Sequence, residues 1–402
     1  MPRVGMCRDS PWQKEQIMID PVAEFPVTGK LIHLNHAAVG PWPRVTADAV
    51  KAFADENLLR GSLAYGEWIE TAQRLREQLC VLLNAASVSE IAFVKNTSEG
   101  LSLVAAGIDW RDGDNVVGIR QEFPSNRFPW LALQQSGVEF RQLDLLCCEE
   151  DPEAALIALC DEKTRLVTVS AVQYATGFRM DLERLGHHCR ANGILFCVDA
   201  IQQAGALPLD LRRVKADFAT ADGHKWLLAP EGLGFFYIRE ELLEQLRLTR
   251  YGWHMAQQMS DYEAEDFSPA STARRFECGS PNMLGIHALS ASVGLLLEQG
   301  MDAVWESLSE RTECLRSGLE GMPGIGILSD ASAGRRSGIL TFSLTRLDNS
   351  GLFAHLQDAG VLCAQRGGGV RMSPHFYTPM AQIERTLLLI DDWLSTNAAR
   401  NP

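Results

Sequence analysis

The sequence predicts an α/β protein in which a large domain, built on a mostly parallel sheet with helices on both faces, precedes a smaller α+β domain. Three observations support this prediction. Strand-like and helix-like segments alternate regularly over residues 115–198, an order typical of a parallel sheet covered by helices. The chain has 402 residues, 46% of them hydrophobic, which is enough for a large core and a second, smaller one. After residue 290 the regular alternation gives way to shorter strands between helices.

The individual elements are predicted from apolar runs and from apolar spacing of three and four residues. In the large domain, helices are expected at 45–59, 68–83, 128–135, 152–160 and 182–191, and strands at 115–119, 138–142, 166–172 and 194–198. Toward the C-terminus, helices are expected at 283–299, 301–321, 350–359 and 380–394, and strands at 325–328, 338–344 and 361–363. These elements divide the chain into an N-terminal arm (1–30), a large domain (31–290) and a small domain (291–402).

Composition excludes several classes of partner. A formal net charge of −14 argues against nucleic acid or an anionic membrane, because both bind to basic surfaces. Residues 1–20 contain no continuous apolar segment, and no later run has the length of a membrane span. The ten cysteines are scattered, with no C-x-x-C pair and no histidine-rich cluster at zinc spacing. We therefore expect a reduced, cytoplasmic protein without a structural metal.

Lys225 is the first candidate catalytic residue. It lies in a turn marked by Gly and Pro, between the apolar runs 218–221 and 235–238. A lysine held between buried strands loses water around its ammonium, so its pKa falls toward the range where the neutral amine attacks a carbonyl. Such a lysine can form a Schiff base, whereas the alternative is a solvated turn lysine.

Asp199 ends the apolar run 194–198, and Gln202 follows three residues later. A run this apolar is typical of a strand covered on both faces, so Asp199 lies at a carboxyl end, where open α/β sheets bind ligands. A buried carboxylate there requires a cationic partner. The protonated ring nitrogen of pyridoxal 5′-phosphate (PLP) is such a partner, and PLP enzymes combine this acid with a Schiff-base lysine.

Together, Asp199 and Gln202, followed by Gly223-His224-Lys225, resemble the core of the class V aminotransferase family. This family consists of PLP-dependent enzymes of fold type I and includes cysteine desulfurases, selenocysteine lyases, kynureninase and isopenicillin N epimerase. The resemblance extends over about residues 31–389. It implies that Gln202 binds the cofactor and that the substrate is a small amino acid.

The phosphate of PLP has three candidate ligands. Thr97 and Ser98 open a helix directly after a strand that ends at Val94; the N–H groups at such a helix start bind phosphate, but N-capping explains the same residues. The resemblance favours phosphate binding and implies that His224 also contacts it. Asp222 stands where many relatives have Ser. We leave it out of the site because a carboxylate repels phosphate unless it faces away or caps backbone N–H groups.

Two loops are predicted to contact the pyridine ring. In the resemblance, the position of Phe123 holds a side chain stacked on the ring, and desulfurases usually have His there. A stacked Phe holds the ring by dispersion and shape but cannot carry a proton. In the loop 170–177, Gln173 or Tyr174 is placed to reach the phenolic oxygen of PLP, with packing as the alternative role of Tyr174.

The resemblance assigns two further segments to the site. Residues 31–40 resemble the family's segment near cofactor and substrate, and Asn35 and His36 are its candidate substrate-binding residues. The run 276–281 resembles the family's Phe-Glu-x-Gly-Thr-Pro motif, whose hydroxyl residue binds the phosphate of the neighbouring subunit's PLP. Ser280 keeps the hydroxyl, so a homodimer with shared active sites is implied.

Arg366 and Arg371 flank a glycine-rich hairpin and are suited to bidentate capture of a substrate carboxylate. Arg371 matches the family's Arg-x-Ser motif, and a solvated turn is the alternative for either residue. Sulfur-transferring relatives insert a loop with a nucleophilic Cys between these arginines, whereas this chain has only Gly, Gly, Gly and Val. Cys363 ends an apolar strand, where cysteine is usually a small core residue. Persulfide formation on the protein is therefore disfavoured.

These residues predict a PLP-dependent enzyme that acts at Cα or Cβ of a small amino acid, as an aminotransferase or as a C–S or β-elimination lyase. Lys225 is the expected base, Asp199 keeps the ring nitrogen protonated, and Arg371 binds the carboxylate. Epimerisation or racemisation is the alternative reaction, because it uses the same residues. A PLP-binding protein without turnover is the alternative of another class.

Overall fold

The computed structural model of this protein describes residues 19–148, 151–259, 261–263, 265–332 and 334–398. Most of the predicted arm (1–30) lies outside these residues. The helices are α1 (Pro21–Glu24), α2 (Arg44–Arg60), α3 (Tyr65–Leu82), α4 (Thr97–Gly107), α5 (Phe128–Ala132), α6 (Pro152–Ala158), α7 (Leu182–Ala191), α8 (Met283–Gln299), α9 (Met301–Glu320), α10 (Asn349–Asp358) and α11 (Met380–Ala398). The strands are β1 (Ile32–His33), β2 (Ile91–Val94), β3 (Asn115–Ile119), β4 (Glu139–Leu143), β5 (Thr164–Ser170), β6 (Leu195–Asp199), β7 (Phe218–Asp222), β8 (Gly234–Ile238), β9 (Ile325–Ile327), β10 (Leu340–Leu344), β11 (Val361–Leu362), β12 (Ala364–Arg366) and β13 (Gly369–Met372).

The large domain contains a seven-stranded sheet in the order β2-β8-β7-β6-β5-β3-β4. All neighbours pair in parallel except β8, which is antiparallel to both β2 and β7. Neighbouring residues of a strand belong to different cores: Val116 and Leu166 pack on one face, Val117 and Val167 on the other. Because side chains alternate across a strand, both faces are buried. The predicted mostly parallel sheet with helices on both faces is confirmed.

The antiparallel strands β7 and β8 hold the lysine turn, residues 223–233, at one end of the sheet. The two strands pair from Phe218 opposite Ile238 to Asp222 opposite Gly234. A Cβ at position 234 would overlap with the carbonyl oxygen of Ala221, so glycine is required where the chain re-enters the sheet. The two strands therefore hold both ends of the segment that carries Lys225.

The small domain contains an antiparallel four-stranded sheet in the order β12-β13-β10-β9, and α9, α10 and α11 pack with it. A separate pair joins the two ends of the chain, since β1 is parallel to β11. Leu34, which follows β1, is fully buried in the small-domain core with Leu340 and Ile390. The start of the segment predicted as large domain (31–290) therefore packs in the small domain.

Helix α8 corrects the predicted boundary near residue 290, which falls inside it. This helix packs against α2 and α3, and Ile286, Leu289, Val293 and Leu296 belong to the large-domain core. A helix buried on this side stays with the domain that covers its apolar face. The large-domain core thus continues through α8 and reaches Val304 in the first turns of α9.

The described part of the chain lacks three further features. No helix there is long and apolar enough to cross a membrane. The same residues hold no group of three or more His, Cys, Asp or Glu side chains suited to a metal ion. None of their cysteines forms a disulfide.

Candidate active site

Backbone hydrogen bonds close the turn that carries Lys225. Gly223 N donates to Leu233 O, and Ala229 N donates to Gly223 O, each at 2.9 Å. Leu228 N donates to Lys225 O at 3.2 Å. Leu228 is fully buried and has a φ of 60°, a left-handed conformation that is uncommon for a residue other than glycine. The turn is thus held in one shape from both ends.

Lys225 is partly buried and carries a perturbed amine. Burial lowers its pKa from 10.5 to about 8, although the charge of Asp199 opposes the shift; the charge of Arg371 lowers the pKa further. The ring centroid of Phe123 lies 5.7 Å from Lys225 Nζ. The neutral fraction of the amine near neutral pH is therefore much larger than for an ordinary lysine, as a nucleophile or general base requires.

Asp199 ends β6, and its carboxylate is buried. Asp199 Oδ1 accepts a hydrogen bond from Ile201 N at 3.1 Å. Burial raises the pKa of Asp199 to about 6, while this hydrogen bond and the charge of Lys225 lower it. The structure thus brings Asp199 and Lys225 within electrostatic reach of each other, and a cation near Asp199 would keep its carboxyl ionised.

Glu122 is a second buried acid of the site, which the sequence did not reveal. Its carboxylate accepts hydrogen bonds from Ser170 N at 2.7 Å, from Gln173 Nε2 at 2.9 Å and from Ser170 Oγ. Burial, together with the charge of Asp199, raises the pKa of Glu122 to about 7, although the hydrogen bonds from Ser170 and Gln173 lower it. The available signal was its position, three residues after β3, because parallel strands end at the same edge of a sheet.

The start of α4 carries the predicted phosphate ligands. The side chain of Asn96 caps this helix, so Thr97 and Ser98 are not needed as caps. Thr97 Oγ1 accepts a hydrogen bond from Asp222 N at 3.0 Å, which leaves its own proton for another acceptor. Ser98 is exposed, and its Oγ lies 2.7 Å from Ser125 Oγ.

His224 and Asp222 are in contact, which changes the role that the sequence assigned to Asp222. His224 Nδ1 lies 3.1 Å from Asp222 Oδ2. Asp222 is buried at the end of β7, and His224 is partly buried. The carboxylate of Asp222 therefore contacts a predicted phosphate ligand, although the sequence analysis left Asp222 out of the site.

Gln202 is fixed by protein contacts. Gln202 Oε1 accepts from Trp226 Nε1 at 2.8 Å, and Gln202 Nε2 donates to Ala37 O at 3.0 Å. These bonds join β6, the lysine turn and the N-terminal segment, and they leave one N–H of the amide for a ligand. The predicted contact between Gln202 and the cofactor stays a prediction.

Gln173 and Tyr174 follow β5. Gln173 is buried and its Nε2 is bound to Glu122. The ring of Tyr174 packs edge-on against Phe123, with centroids 5.3 Å apart. Packing thus accounts for the Tyr174 side chain, and Gln173 is the better placed of the two for a polar contact.

The two arginines differ in environment. Arg371, on β13, is buried; its Nη1 donates to Tyr174 O at 2.6 Å, and its Nη2 lies 3.5 Å from Asn35 Oδ1. Burial lowers the pKa of Arg371 to about 10, and it remains charged at neutral pH. Arg366 is exposed, and its Nη1 donates to the carbonyl oxygen of Gln365. Arg371 belongs to the site, and Arg366 lies at its solvent side.

The prediction that His36 binds substrate conflicts with the structure. His36 is fully buried. Its Nδ1 lies 2.9 Å from Ser373 O and its Nε2 2.7 Å from Tyr377 OH, so both ring nitrogens are bound to the protein. His36 therefore joins the N-terminal segment to the small domain, whereas the side chain of Asn35 faces Arg371.

Ser280 and Cys363 lie in contrasting surroundings. Ser280 is exposed, before α8. Cys363 is buried between β11 and β12, and burial raises the pKa of its thiol to about 12.

The hairpin of β12 and β13 turns through Gly367 and Gly368, with φ values of 60° and 83°. This left-handed pair is typical of the tightest hairpin turns.

The site fits PLP. Among the described residues, four of its buried polar atoms have no hydrogen-bond partner within the chain: Gln173 Oε1, Asp222 Oδ1, His224 Nδ1 and Arg371 Nε. Buried polar atoms are rarely left without a partner. A lysine amine, a buried acid and donors at a helix start are the groups that PLP requires.

Comparisons with known proteins agree with this assignment. The family model described as Aminotransferase class-V matches residues 32–386. A probable cysteine desulfurase from Methanothermobacter thermautotrophicus is 31% identical over 388 residues, covering 90% of this chain and 94% of that protein. The cystine C–S lyase C-DES, solved with its reaction product cysteine persulfide, has a TM-score of 0.84 at 25% identity and covers 92% of this chain and 99% of its own. A C-DES mutant with glycine covalently linked to the PLP cofactor has a TM-score of 0.86 at 24% identity, over 93% and 100% of the two chains. This chain belongs to the class V aminotransferase family and is a PLP-dependent enzyme of the transferase or lyase type.

Proposed function

We propose that this enzyme is a β-elimination lyase that cleaves the Cβ–S bond of a cysteine-type amino acid without transferring the sulfur to a cysteine of its own. The tight hairpin between Arg366 and Arg371 carries this proposal, because that interval contains no thiol. Cys363, on the preceding strand, is buried and has a pKa raised to about 12. A thiol with this pKa is protonated and poorly nucleophilic at neutral pH.

The similar proteins support chemistry at a C–S bond. The curated relative is named a probable cysteine desulfurase, and one structural neighbour is named a cystine C–S lyase. The first name implies transfer of the sulfur to the enzyme, and the second implies release of a sulfur-containing product. The burial of Cys363 favours release for this chain.

The chain's own residues divide the work between them. Arg371 offers its unpaired Nε and a fixed guanidinium to the substrate carboxylate. Asp199 holds the proton on the ring nitrogen of bound PLP, which supplies an electron sink for the Cα carbanion. Lys225 accepts the Cα proton, because burial keeps a fraction of its amine neutral.

The elimination balances without a further reactant. The Cα–H and Cβ–S bonds break, the proton moves to Lys225 Nζ, and the sulfur leaves with the electron pair. The released aminoacrylate hydrolyses in water to pyruvate and ammonia. Phe123, which lies over Lys225, has no proton to give the leaving sulfur, so a leaving group that is stable as an anion is favoured. A persulfide anion, released from a disulfide such as cystine, meets this requirement better than sulfide does.

Products and protein mass test this proposal. The holoenzyme is incubated in D2O with L-cystine, L-cysteine or L-alanine, while pyruvate, persulfide, sulfide, other keto acids and Cα deuterium are measured. We expect pyruvate and persulfide from cystine in equal amounts, no added sulfur on the protein, and the same products from Cys363→Ala. Sulfur bound to the protein, and lost in Cys363→Ala, would identify a desulfurase. A keto acid that keeps its β-substituent would identify an aminotransferase, and exchange with inversion at Cα an epimerase.

The proposal includes a cytoplasmic homodimer in which Ser280 serves the neighbouring active site. The exposed hydroxyl of Ser280 and the match to the family motif support the sharing. Mixing tests it: Lys225→Ala subunits and Ser280→Ala subunits, re-associated together, should recover activity that neither has alone. In a mixed dimer with shared sites, one site carries both changes and the other carries none. A mixture no more active than its components would contradict sharing.

A further inference from the structure

We propose that Asp222 is a positioning residue for the phosphate of PLP: its carboxylate holds the imidazole of His224 so that the opposite ring nitrogen donates to the phosphate. The observation behind this is the 3.1 Å separation of His224 Nδ1 and Asp222 Oδ2. The inference concerns cofactor binding, so it holds whichever reaction the enzyme catalyses.

Asp222 is itself fixed in place. It is the last residue of β7, paired with Gly234, and its backbone N–H donates to Thr97 Oγ1 at 3.0 Å. Its side chain is 7% exposed and that of His224 is 15% exposed. His224 Nδ1 lies within ion-pair distance of Asp222 Oδ2, and neither Nδ1 nor Asp222 Oδ1 has a hydrogen-bond partner within the described residues.

In this arrangement the imidazole of His224 lies between two hydrogen-bond acceptors, the Asp222 carboxylate and the phosphate. A neutral His224 with its proton on Nδ1 would present the Nε2 lone pair, and this would repel phosphate oxygens. An imidazolium donates from both nitrogens, one to Asp222 and one to the phosphate.

Thr97 completes the arrangement. Because Thr97 Oγ1 accepts from Asp222 N, its hydroxyl proton is free to donate toward the phosphate at the start of α4. Asp222 therefore supports two phosphate donors, one through its backbone and one through its side chain. The Ser of many relatives is a direct donor, whereas the Asp here acts through His224.

Affinity for PLP tests the inference without any turnover. Dissociation constants of PLP and of pyridoxal, which lacks the phosphate, are measured by equilibrium dialysis for the apoenzyme, Asp222→Asn, His224→Gln and the double variant. We expect Asp222→Asn to weaken PLP about tenfold, as one coupled polar contact does, and to leave pyridoxal affinity unchanged. In the His224→Gln background, the same change should have no effect or should tighten PLP.

Three results would overturn the inference. If Asp222→Asn binds PLP as tightly as the wild type or more tightly, the carboxylate only repels the phosphate. If its effect is the same with and without His224, it does not act through that ring. If pyridoxal affinity falls by the same factor as PLP affinity, Asp222 supports the fold of the site and does not act on the phosphate. Asp222→Ser, measured in parallel, repeats the comparison of PLP with pyridoxal for a second side chain.

Discussion

Arg371 Nη1 donates to the backbone carbonyl oxygen of Tyr174 at 2.6 Å, and this bond joins β13 of the small domain to the loop after β5 of the large domain. This bond uses one edge of the guanidinium and leaves Arg371 Nε without a hydrogen-bond partner among the described residues. The guanidinium that we propose as the carboxylate ligand is thus held at the junction of the domains before substrate arrives. Such preorganisation reduces the entropy lost on binding.

Replacing Arg371 should impair substrate binding far more than replacing Arg366. We expect Arg371→Lys to lower kcat/KM by about 10- to 100-fold, the cost of a charged hydrogen bond whose fork geometry lysine cannot reproduce. Arg366→Ala is the matched control, because Arg366 is exposed and bonds only the adjacent carbonyl oxygen of Gln365. Steady-state kinetics with the preferred amino acid measure both; equal losses would mean that Arg371 is not the carboxylate ligand.

Glu122 should make the apoenzyme less stable as pH rises from about 5 to 7. Burial raises its pKa from 4.5 to about 7, so in this window the folded state binds a proton that the unfolded chain has lost. Stability falls with pH under that condition, by up to about 1.4 kcal/mol per pH unit. Glu122→Gln should reduce this slope in denaturant unfolding, most clearly between about pH 6 and 7, above the pKa of about 6 of buried Asp199. The exposed Glu67→Gln should leave the slope as it is. An unchanged slope in Glu122→Gln would contradict the assignment.

Gly40 should be required for the position of the lysine turn. Its N–H donates to His224 O at 2.8 Å, and an added Cβ would overlap with Lys225 O and lie 3.1 Å from Leu228 Cδ2. Gly40→Ala therefore displaces the turn, and we expect kcat/KM to fall by up to about 100-fold. Gly29→Ala is the control, since nothing lies within 4 Å of a Cβ there. Activity unchanged in Gly40→Ala would show that the turn can move without loss.

Lys225→Ala should abolish covalent attachment of the cofactor and remove the base. The loss of a general base alone costs about 10²- to 10⁴-fold in turnover. After borohydride treatment and denaturation, the wild type should retain the cofactor and the variant should release it. Lys225→Arg, which keeps the positive charge beside Asp199, is expected to behave like Lys225→Ala. Cofactor that stays bound to either variant would mean that another amine carries it.

Helices with clear ends were predictable from the sequence. The bounds of α8, Met283–Gln299, are those predicted, because Asn282 caps its start and Gly300, with a φ of 78°, ends it. The segment after Val361 was harder. It was predicted as a single strand to Cys363, but β11 pairs with β1 while β12 pairs with β13. Adjacent residues thus belong to different sheets, which depends on partners that a local pattern does not contain.

The difference between local patterns and distant partners also separates the site residues that were predicted from those that were missed. Lys225 and Asp199 were predictable because Asp199 ends an apolar strand and Lys225 follows one closely, and the structure brings the two within electrostatic reach. Glu122 was missed because its partners, Ser170 and Gln173, lie 48 and 51 residues further along the chain.

His36 was misassigned for a similar reason. It was predicted to bind substrate, but its nitrogens are bound to Ser373 and Tyr377, 337 and 341 residues away. The burial of His36 by such distant segments depends on the whole fold, and a short sequence motif does not predict it.

The pairing of β1 with β11 constrains how the protein is made. Residues 32–33 leave the ribosome early, and their partners at 361–362 leave it near the end of synthesis. Until then, Leu34 and its apolar neighbours have no core to enter, and contacts this distant in sequence form slowly. A newly made chain that ends before β11 therefore keeps an exposed apolar segment near its N-terminus. Such truncated products are candidates for aggregation and for binding by chaperones.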